Sequence, residues 1–154
     1  MKLHAPPTTA RQVADYFLSK VDEEVGDNLS NLKLQKLLYY AQGFHLAVHG
    51  RPLFDDEIAA WRYGPVVPGV YHEFEHHRAG ALPPPSADFD PEAIPADSQE
   101  ILDEVFTVYG QFSALRLMEM TREEPPWADT PLGRSIPAEV MTSYFKTLVV
   151  DGQR

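Results

Sequence analysis

One uninterrupted stretch decides the fold: residues 32–74 read LKLQKLLYYAQGFHLAVHGRPLFDDEIAAWRYGPVVPGVYHEF. Its first half places apolar residues at three- and four-residue intervals, which predicts an amphipathic helix. The stripe consists of Leu34, Leu37, Leu38, Ala41, Phe44 and Val48, with Lys33 and Lys36 off it. Further apolar residues, among them Tyr39 and Tyr40, widen the apolar face beyond what one neighbour could cover. We therefore expect this helix to be central and packed on more than one side.

The second half of the stretch combines aromatic residues with prolines. The helix predicted from the first half is capped by Ser30 or Asn31 and ends at Gly50. A loop follows, with a short extended segment near residues 57–62. Because proline fits turns or a first helical turn but not a helix interior, a third helix is predicted from Pro68 to Arg78.

Capping residues and periodicity predict the remaining helices. The first runs from Thr8 or Thr9 to about Glu24 and is followed by a break at 26–28. Asp97 and Glu100 have capping-box spacing at the start of another helix, which Gly110 ends. Two more are expected at Ser113–Thr121 and Pro137–Val149, separated by a proline-containing loop at 122–134. Residues 80–95 hold five of the fourteen prolines and are predicted to be a surface linker.

These elements predict a mainly α fold. We expect one compact domain of about six helices over residues 1–154, with its core at about 9–149. The chain has 154 residues, enough to bury a core of its own. It contains no cysteine, which excludes disulfide scaffolds and thiolate zinc sites. No membrane span and no secretory signal is found in the sequence, so a cytoplasmic location is expected.

The charge of the chain bears on its partners. With 13 basic and 23 acidic residues, the formal net charge is −10. Nucleic-acid binding requires clustered basic residues to neutralise phosphates, and no such cluster is visible. Direct binding of nucleic acid is therefore not expected. A basic protein partner is the favoured interpretation, since complementary charge speeds encounter. The alternative is that the acidity only maintains solubility.

Two further segments extend the pattern of the opening stretch. They read FSALRLMEMTREEPPW from residue 112 and IPAEVMTSYF from residue 136. Together with LKLQKLLYYAQ, PLF and AWRYGPVVP, they resemble the Panacea (SocA-like) antitoxin family, also described as phage-associated. The resemblance spans about residues 9–147. The chain departs from the family at 120–122, where Met-Thr-Arg replaces a common Leu-Thr-His, so no role of that histidine can be carried over.

The resemblance implies a non-enzymatic bacterial antitoxin that binds and neutralises a cognate toxin, with no cofactor. It also implies that the toxin can belong to many unrelated classes. An alternative within the family is a proteolytic adaptor that delivers the toxin to an AAA+ protease. A phage-associated regulator of a host protein is a further alternative. Because the sequence shows no basic extension, a separate DNA-binding segment is not expected.

Two histidine pairs could suggest metal chemistry. His72, Glu73 and His76 fit the H-E-x-x-H pattern, in which two histidines bind zinc and the glutamate activates a water molecule. The match is weak, because only generic acids are available as a third ligand. The favoured interpretation is a solvated helical surface, with a zinc metallopeptidase as the weaker alternative. His45 and His49, four residues apart, are interpreted as hydrogen-bonded residues at the edge of the central helix.

The candidate partner-binding residues lie in the aromatic and proline-rich segment and in the loop around residue 127. Tryptophan and tyrosine dominate binding hot spots, and prolines reduce the cost of ordering a loop. Alternatively, the aromatic residues belong to the core and the prolines only form turns. Acidic clusters at 22–24, 55–57 and 123–124 could border the surface. The predicted set is Trp61, Tyr63, Pro65, Val66, Val67, Pro68, Tyr71 and Trp127.

Overall fold

The computed structural model describes residues 8–21 and 28–149, and within them the fold is mainly α-helical, as predicted. Seven α-helices and one two-stranded antiparallel sheet form in these residues. In chain order they are α1 (Ala10–Ser19), α2 (Asn31–His49), β1 (Ala59–Trp61), β2 (Gly64–Val66), α3 (Pro68–Phe74), α4 (Ala96–Tyr109), α5 (Ala114–Arg122), α6 (Pro125–Ala128) and α7 (Ala138–Lys146).

Helix α2 is the centre of the fold, which confirms the expectation from its wide apolar face. It contacts α1, α3, α4, α5, α7 and β2. The Ser30 side chain caps its start, and Gly50 ends it in the left-handed conformation with φ of 72°. Helix α7 approaches most closely at Gly43, where an added Cβ would lie 2.2 Å from the Phe145 ring. Glycine at this position therefore sets the distance between α2 and α7.

Several helix boundaries differ from the prediction. Thr9 caps α1 through a capping box with Gln12, but the helix ends at Ser19 because the chain turns at Lys20. The predicted helix end at Glu24 lies outside the described residues, and so does the predicted break at 26–28 except for residue 28. The prediction of a capping box at Asp97 is wrong. Helix α4 already begins at Ala96, so residue 97 lies in its first turn.

The middle and the end of the chain follow the prediction more closely. Helix α3 ends at Phe74, four residues before the predicted end at Arg78, because the chain tightens into a 3-10 turn at Glu75–His77. Ser113 caps α5, as predicted. The extra helix is α6, one turn in the predicted loop, where Pro125 occupies the first helical position. The last helix ends at Lys146, three residues earlier than predicted.

One hydrophobic core runs from α1 to α7, and α2 supplies its largest buried side chains. The segment 80–95 has no α-helix, but Leu82 and Ile94 are buried in this core. Val48 is 48% exposed, so the buried stripe of α2 ends before the helix does. No helix in the described part of the chain is long and apolar enough to cross a membrane.

Candidate functional site

The candidate site is built on the short hairpin of β1 and β2. The predicted extended segment corresponds to β1, whereas β2 was not predicted because Gly64 and Pro65 suggested only a turn. Trp61 lies opposite Gly64, and residues 62–63 connect the strands. Gly64 has φ of +109°, and a Cβ there would lie 2.8 Å from Lys36 Cε. Glycine therefore permits both the backbone conformation and the close approach of β2 to α2.

A third backbone segment, residues 133–136, lies on the other side of β1. The Ala60 N–H donates to the Arg134 carbonyl at 2.9 Å, and the Ile136 N–H donates to the Ile58 carbonyl at 2.7 Å. In the return direction, the amide of residue 133 donates to the Ala60 carbonyl at 2.7 Å. Strand β1 is consequently hydrogen-bonded on both edges, which fixes the chain between α6 and α7 against the hairpin.

Trp61 contacts two of the other predicted aromatic residues at this hairpin. The Trp127 indole N–H donates to the Trp61 carbonyl at 2.7 Å, although the two residues are 66 positions apart. The Trp61 and Tyr71 rings meet edge to face with centroids 5.2 Å apart. Tyr63 stands at the tip of the hairpin and is 55% exposed. We term Trp61, Tyr63, Tyr71 and Trp127 the hairpin face.

Two arginines border the hairpin face. The Arg62 guanidinium lies 5.5 Å from the Tyr63 ring centroid, and the Arg122 guanidinium lies 5.5 Å from that of Trp127. Such cation–π contacts hold the guanidinium groups against the rings. Two guanidinium groups thus lie against rings of the hairpin face, and the exposed Glu123 follows Arg122 directly in the chain.

The proline and valine residues of the predicted set lie behind the hairpin face. Pro65, Val66 and Val67 are buried, and Pro68 is half-buried at the start of α3. Their side chains pack into the protein. Of the predicted set, only Tyr63 is exposed, and Trp61, Tyr71 and Trp127 are half-buried.

Polar side chains of α2 hold this segment in place. The Val67 N–H donates to Gln35 Oε1 at 2.8 Å, and Asn31 Nδ2 donates to the Tyr71 carbonyl at 3.1 Å. Gln35 also donates to Asn31 at 2.9 Å, so the two amides form one buried chain of hydrogen bonds. Because buried amides are costly unless they are satisfied, this arrangement favours a single backbone conformation of residues 65–71.

Lys36 is the third polar residue of α2 beneath the hairpin. It is completely buried, and its Nζ donates to the Pro65 carbonyl at 3.1 Å. Although it lies off the apolar stripe, as predicted, β2 covers it. Burial disfavours the charged amine and lowers the pKa of Lys36 to about 7. The hairpin therefore rests on an amine that changes charge near neutral pH.

A buried carboxylate holds the start of α6. The Tyr39 and Tyr40 hydroxyls donate to the two Glu124 oxygens at 2.9 and 2.7 Å. Burial raises the pKa of Glu124, and the tyrosine hydroxyls, including that of Tyr144, oppose this rise. The same surroundings raise the pKa of Tyr144 to about 12. These contacts fix helix α6, which carries Trp127, to the central helix.

The histidine pairs do not form a metal centre in this geometry. Helix α3 ends at Phe74, so His72 lies in the helix and His76 in the following 3-10 turn. Both are exposed, and His72 Nδ1 lies 3.3 Å from a Glu75 oxygen. Among the described residues, no three His, Asp or Glu side chains are arranged to hold a metal ion. The pattern H-E-x-x-H therefore lacks the single helical face that zinc ligation requires.

The second pair has the structural role expected of it. His45 is buried between the Arg51 carbonyl at 2.9 Å and the Ser98 hydroxyl at 2.8 Å. Burial lowers its pKa, which favours the neutral ring. His49 lies beside it and near the Asp97 carbonyl, at 3.3 Å. These histidines connect α2 to the start of α4.

Sequence reasoning missed the residues that support the site from α2 and from α6. Asn31 and Gln35 are four residues apart, a spacing at which two amides can bond on one helix face. That spacing was the available signal for the amide chain. Nothing local indicated that Glu124 would lie against two tyrosines, because the contact spans 84 positions or more.

Comparison with known proteins places this arrangement in a family. Residues 34–128, more than half of the chain, match the family model described as antitoxin SocA-like, Panacea domain. A relative, Antitoxin SocA of Caulobacter vibrioides (strain NA1000 / CB15N), is 48% identical over 65 residues. This alignment covers 42% of the chain and 34% of the relative, so it spans about a third of that protein's length. No solved structure matches. The chain belongs to the antitoxin SocA-like, Panacea domain family.

Proposed function

We propose that this protein is an antitoxin that neutralises a cognate toxin by direct binding, with the hairpin face as the contact surface. Membership of the antitoxin SocA-like family supports the general role. The observation that carries the contact surface is the exposed Tyr63 at the tip of the hairpin, which is 55% exposed beside the half-buried Trp61, Tyr71 and Trp127. Aromatic side chains supply much of the binding free energy at protein interfaces.

The way the hairpin face is held favours binding. The backbone at 65–71 is fixed by Gln35 and Asn31, and Trp127 is fixed by its hydrogen bond to the backbone of β1. A surface that is ordered before binding loses little conformational entropy when the partner arrives. This rigidity supports recognition of a partner without prior folding of the site.

The remaining parts of the proposal follow the expectations from the sequence. The partner is a basic toxin, because the chain carries a net charge of −10. The continuous core from α1 to α7 supports a single domain over about residues 9–149. Binding alone accounts for neutralisation, so the proposal includes no catalytic step and no cofactor. The complex forms in the cytoplasm.

The test is co-expression of the chain with its neighbouring gene, followed by pull-down and a growth assay. We expect a stable complex and rescue of growth. Tyr63→Ala should weaken the purified complex about 30-fold, the size of a hot-spot loss, without unfolding the protein. The matched control is Leu115→Ala on α5, since Leu115 is 64% exposed but lies outside the hairpin face. No complex and no rescue with the wild-type chain would refute the antitoxin proposal.

A strain lacking the AAA+ protease distinguishes a stoichiometric inhibitor from a proteolytic adaptor. Direct neutralisation predicts that growth rescue persists in this strain, because occupancy of the toxin alone blocks it. Rescue that disappears with the protease, while the complex still forms, would instead establish the adaptor mechanism.

A further inference from the structure

A second accessible feature lies at the other end of β1. A cavity of about 220 Å³ opens between the C-terminal half of α2, the segment at 52–58 and the start of α7. Ile58, just before β1, and Ile136, whose N–H donates to the Ile58 carbonyl, both line it. Pockets for small-molecule ligands usually occupy about 300–1,000 Å³. The volume of this cavity therefore suits a single side chain.

Seven of the twelve residues that line the cavity are apolar, and Gln42 adds an amide that donates to the Phe54 carbonyl at 2.7 Å. Leu46, Phe54 and Met141 line the cavity, and each of these side chains belongs to the buried core. These side chains therefore belong both to the wall of the cavity and to the packed core. An aliphatic chain entering here would replace water against apolar atoms, which is favourable.

The rim of the cavity is acidic. Asp55, Asp56 and Glu57 line it, and no Lys, Arg or His is among the lining residues. One oxygen of Asp56 accepts the Ala10 N–H at 3.0 Å, and one oxygen of Glu57 accepts the Ser135 hydroxyl at 2.6 Å. Asp55 is exposed, and no described residue bonds to it. The rim thus presents negative charge that the protein neutralises only in part.

We propose that this cavity receives a lysine or arginine side chain of the toxin. Such side chains combine an aliphatic stem with a cationic head, and they bury the first while the second stays at a polar boundary. The apolar lining residues and the acidic rim match these two parts in order. The inference rests on the proposed function for the identity of the partner, whereas the chemistry of the occupant follows from the cavity alone.

Continuity with the hairpin face supports this occupant. Ile58 lines the cavity directly before β1, and the strand ends at Trp61, three residues further. A partner that covered the cavity and the hairpin face would therefore follow this one strand. Because Arg62 and Arg122 border the hairpin face, a basic toxin finds its charge complement at the cavity instead. A divalent cation is a poorer occupant, since no three acidic or histidine side chains in the described ranges converge on a metal position.

The first experiment tests the cavity without the toxin. Nuclear magnetic resonance titration of the ¹⁵N-labelled full chain uses N-acetyl-arginine amide as the cationic probe and N-acetyl-norleucine amide as the neutral one. We expect saturable shifts of the backbone amides of Ser135, Ile136, Ala138 and Ile58 with the cationic probe, several-fold weaker binding of the neutral probe, and loss of both effects in Asp55→Lys. Absence of these shifts, or equal shifts with both probes, would overturn the cavity as a cation site.

The second experiment uses the purified complex with the product of the neighbouring gene. Asp55→Lys should raise the dissociation constant at least about tenfold at low salt, and added salt should reduce the difference. Glu104→Lys makes the same change in charge on an exposed part of α4 and should change the constant only about twofold. Equal effects of the two variants would refute the inference while leaving the antitoxin proposal intact.

The remaining outcomes separate the two proposals. If the wild-type chain forms no complex, the proposed function falls, and the probe titration alone decides whether the cavity binds a cation. If the chain dimerises in size-exclusion chromatography and Asp55→Lys abolishes the dimer, the occupant is a basic side chain of a second copy. That result would overturn the assignment to the toxin.

Discussion

Replacement of Lys36 by methionine should change how stability depends on pH. Lys36 is fully buried beneath the hairpin, with one hydrogen bond to the Pro65 carbonyl. Its pKa falls from 10.5 to about 7 on folding, because burial penalises the charged amine. Between these values the unfolded chain binds more protons than the folded chain. The free energy of unfolding of the wild-type protein should therefore rise with pH in this window.

The size of the effect follows from these pKa values. With pKa values of 10.5 unfolded and about 7 folded, linkage gives a gain of about 2 kcal/mol between pH 7 and pH 9. Lys36→Met retains the length and apolar character of the side chain but has no proton to lose. It also leaves the Pro65 carbonyl without its donor, which lowers stability by a similar amount at every pH. The loss of this hydrogen bond therefore contributes a constant amount to the stability difference between the two proteins. Only the change of that difference with pH reports on the amine.

Urea unfolding followed by circular dichroism at pH 7, 8 and 9 measures this slope. We expect the stability of Lys36→Met, relative to the wild type, to fall by about 2 kcal/mol from pH 7 to pH 9, with an unchanged dependence on urea concentration. Lys146→Met, at the exposed end of α7, controls for loss of a positive charge from an acidic protein. Parallel pH profiles of the wild type and Lys36→Met would refute the reasoning.

Three further substitutions test the contacts around the hairpin. Gly64→Ala should lower the free energy of unfolding by about 1–3 kcal/mol, because φ is +109° and the new methyl group would lie 2.8 Å from Lys36 Cε. A free energy of unfolding in urea equal to that of the wild type would contradict this. Trp127→Phe removes the donor to the Trp61 carbonyl and should lower the melting temperature by an amount equivalent to about 1 kcal/mol, whereas an unchanged value would show that the 2.7 Å bond contributes nothing. Glu124→Gln should flatten the dependence of the free energy of unfolding on pH in the acidic range. Burial raises the pKa of Glu124, so the folded chain holds a proton that the unfolded chain has released. The stability of the wild type relative to the variant should therefore fall as pH rises from 4.5 to 7. Equal pH slopes in the two proteins would exclude a raised pKa.

The sequence was sufficient for the elements whose signals are local. Helix α2 was predicted with its cap at Ser30 or Asn31 and its end at Gly50, because periodicity and capping act within a few residues. The single turn of α6 was missed, since its two prolines suggested a loop although Pro125 fits a first helical position. Strand β2 was missed for the same kind of reason: proline is rare in strands, but an edge position tolerates it.

The candidate site depended on contacts that no local pattern encodes. The periodicity placed Lys36 off the apolar stripe but gave no sign that β2 would cover that side of α2 and bury the side chain. Aromatic character alone put Trp61 and Trp127 into the predicted set, and only the structure places the indole of Trp127 on the backbone carbonyl of Trp61. Whether this surface contacts a toxin stays a prediction.

The hydrogen bonds on both edges of β1 restrict how any partner can bind here. Many proteins are recognised by β-augmentation, in which a peptide adds a strand to an open sheet edge through main-chain bonds. Strand β1 has no open edge, Pro65 has no N–H to offer, and its carbonyl is occupied by Lys36. A partner therefore cannot extend the sheet through β1 or β2. Recognition at this hairpin has to use side-chain shape and charge, and the same closure protects the strands from pairing with other copies during synthesis.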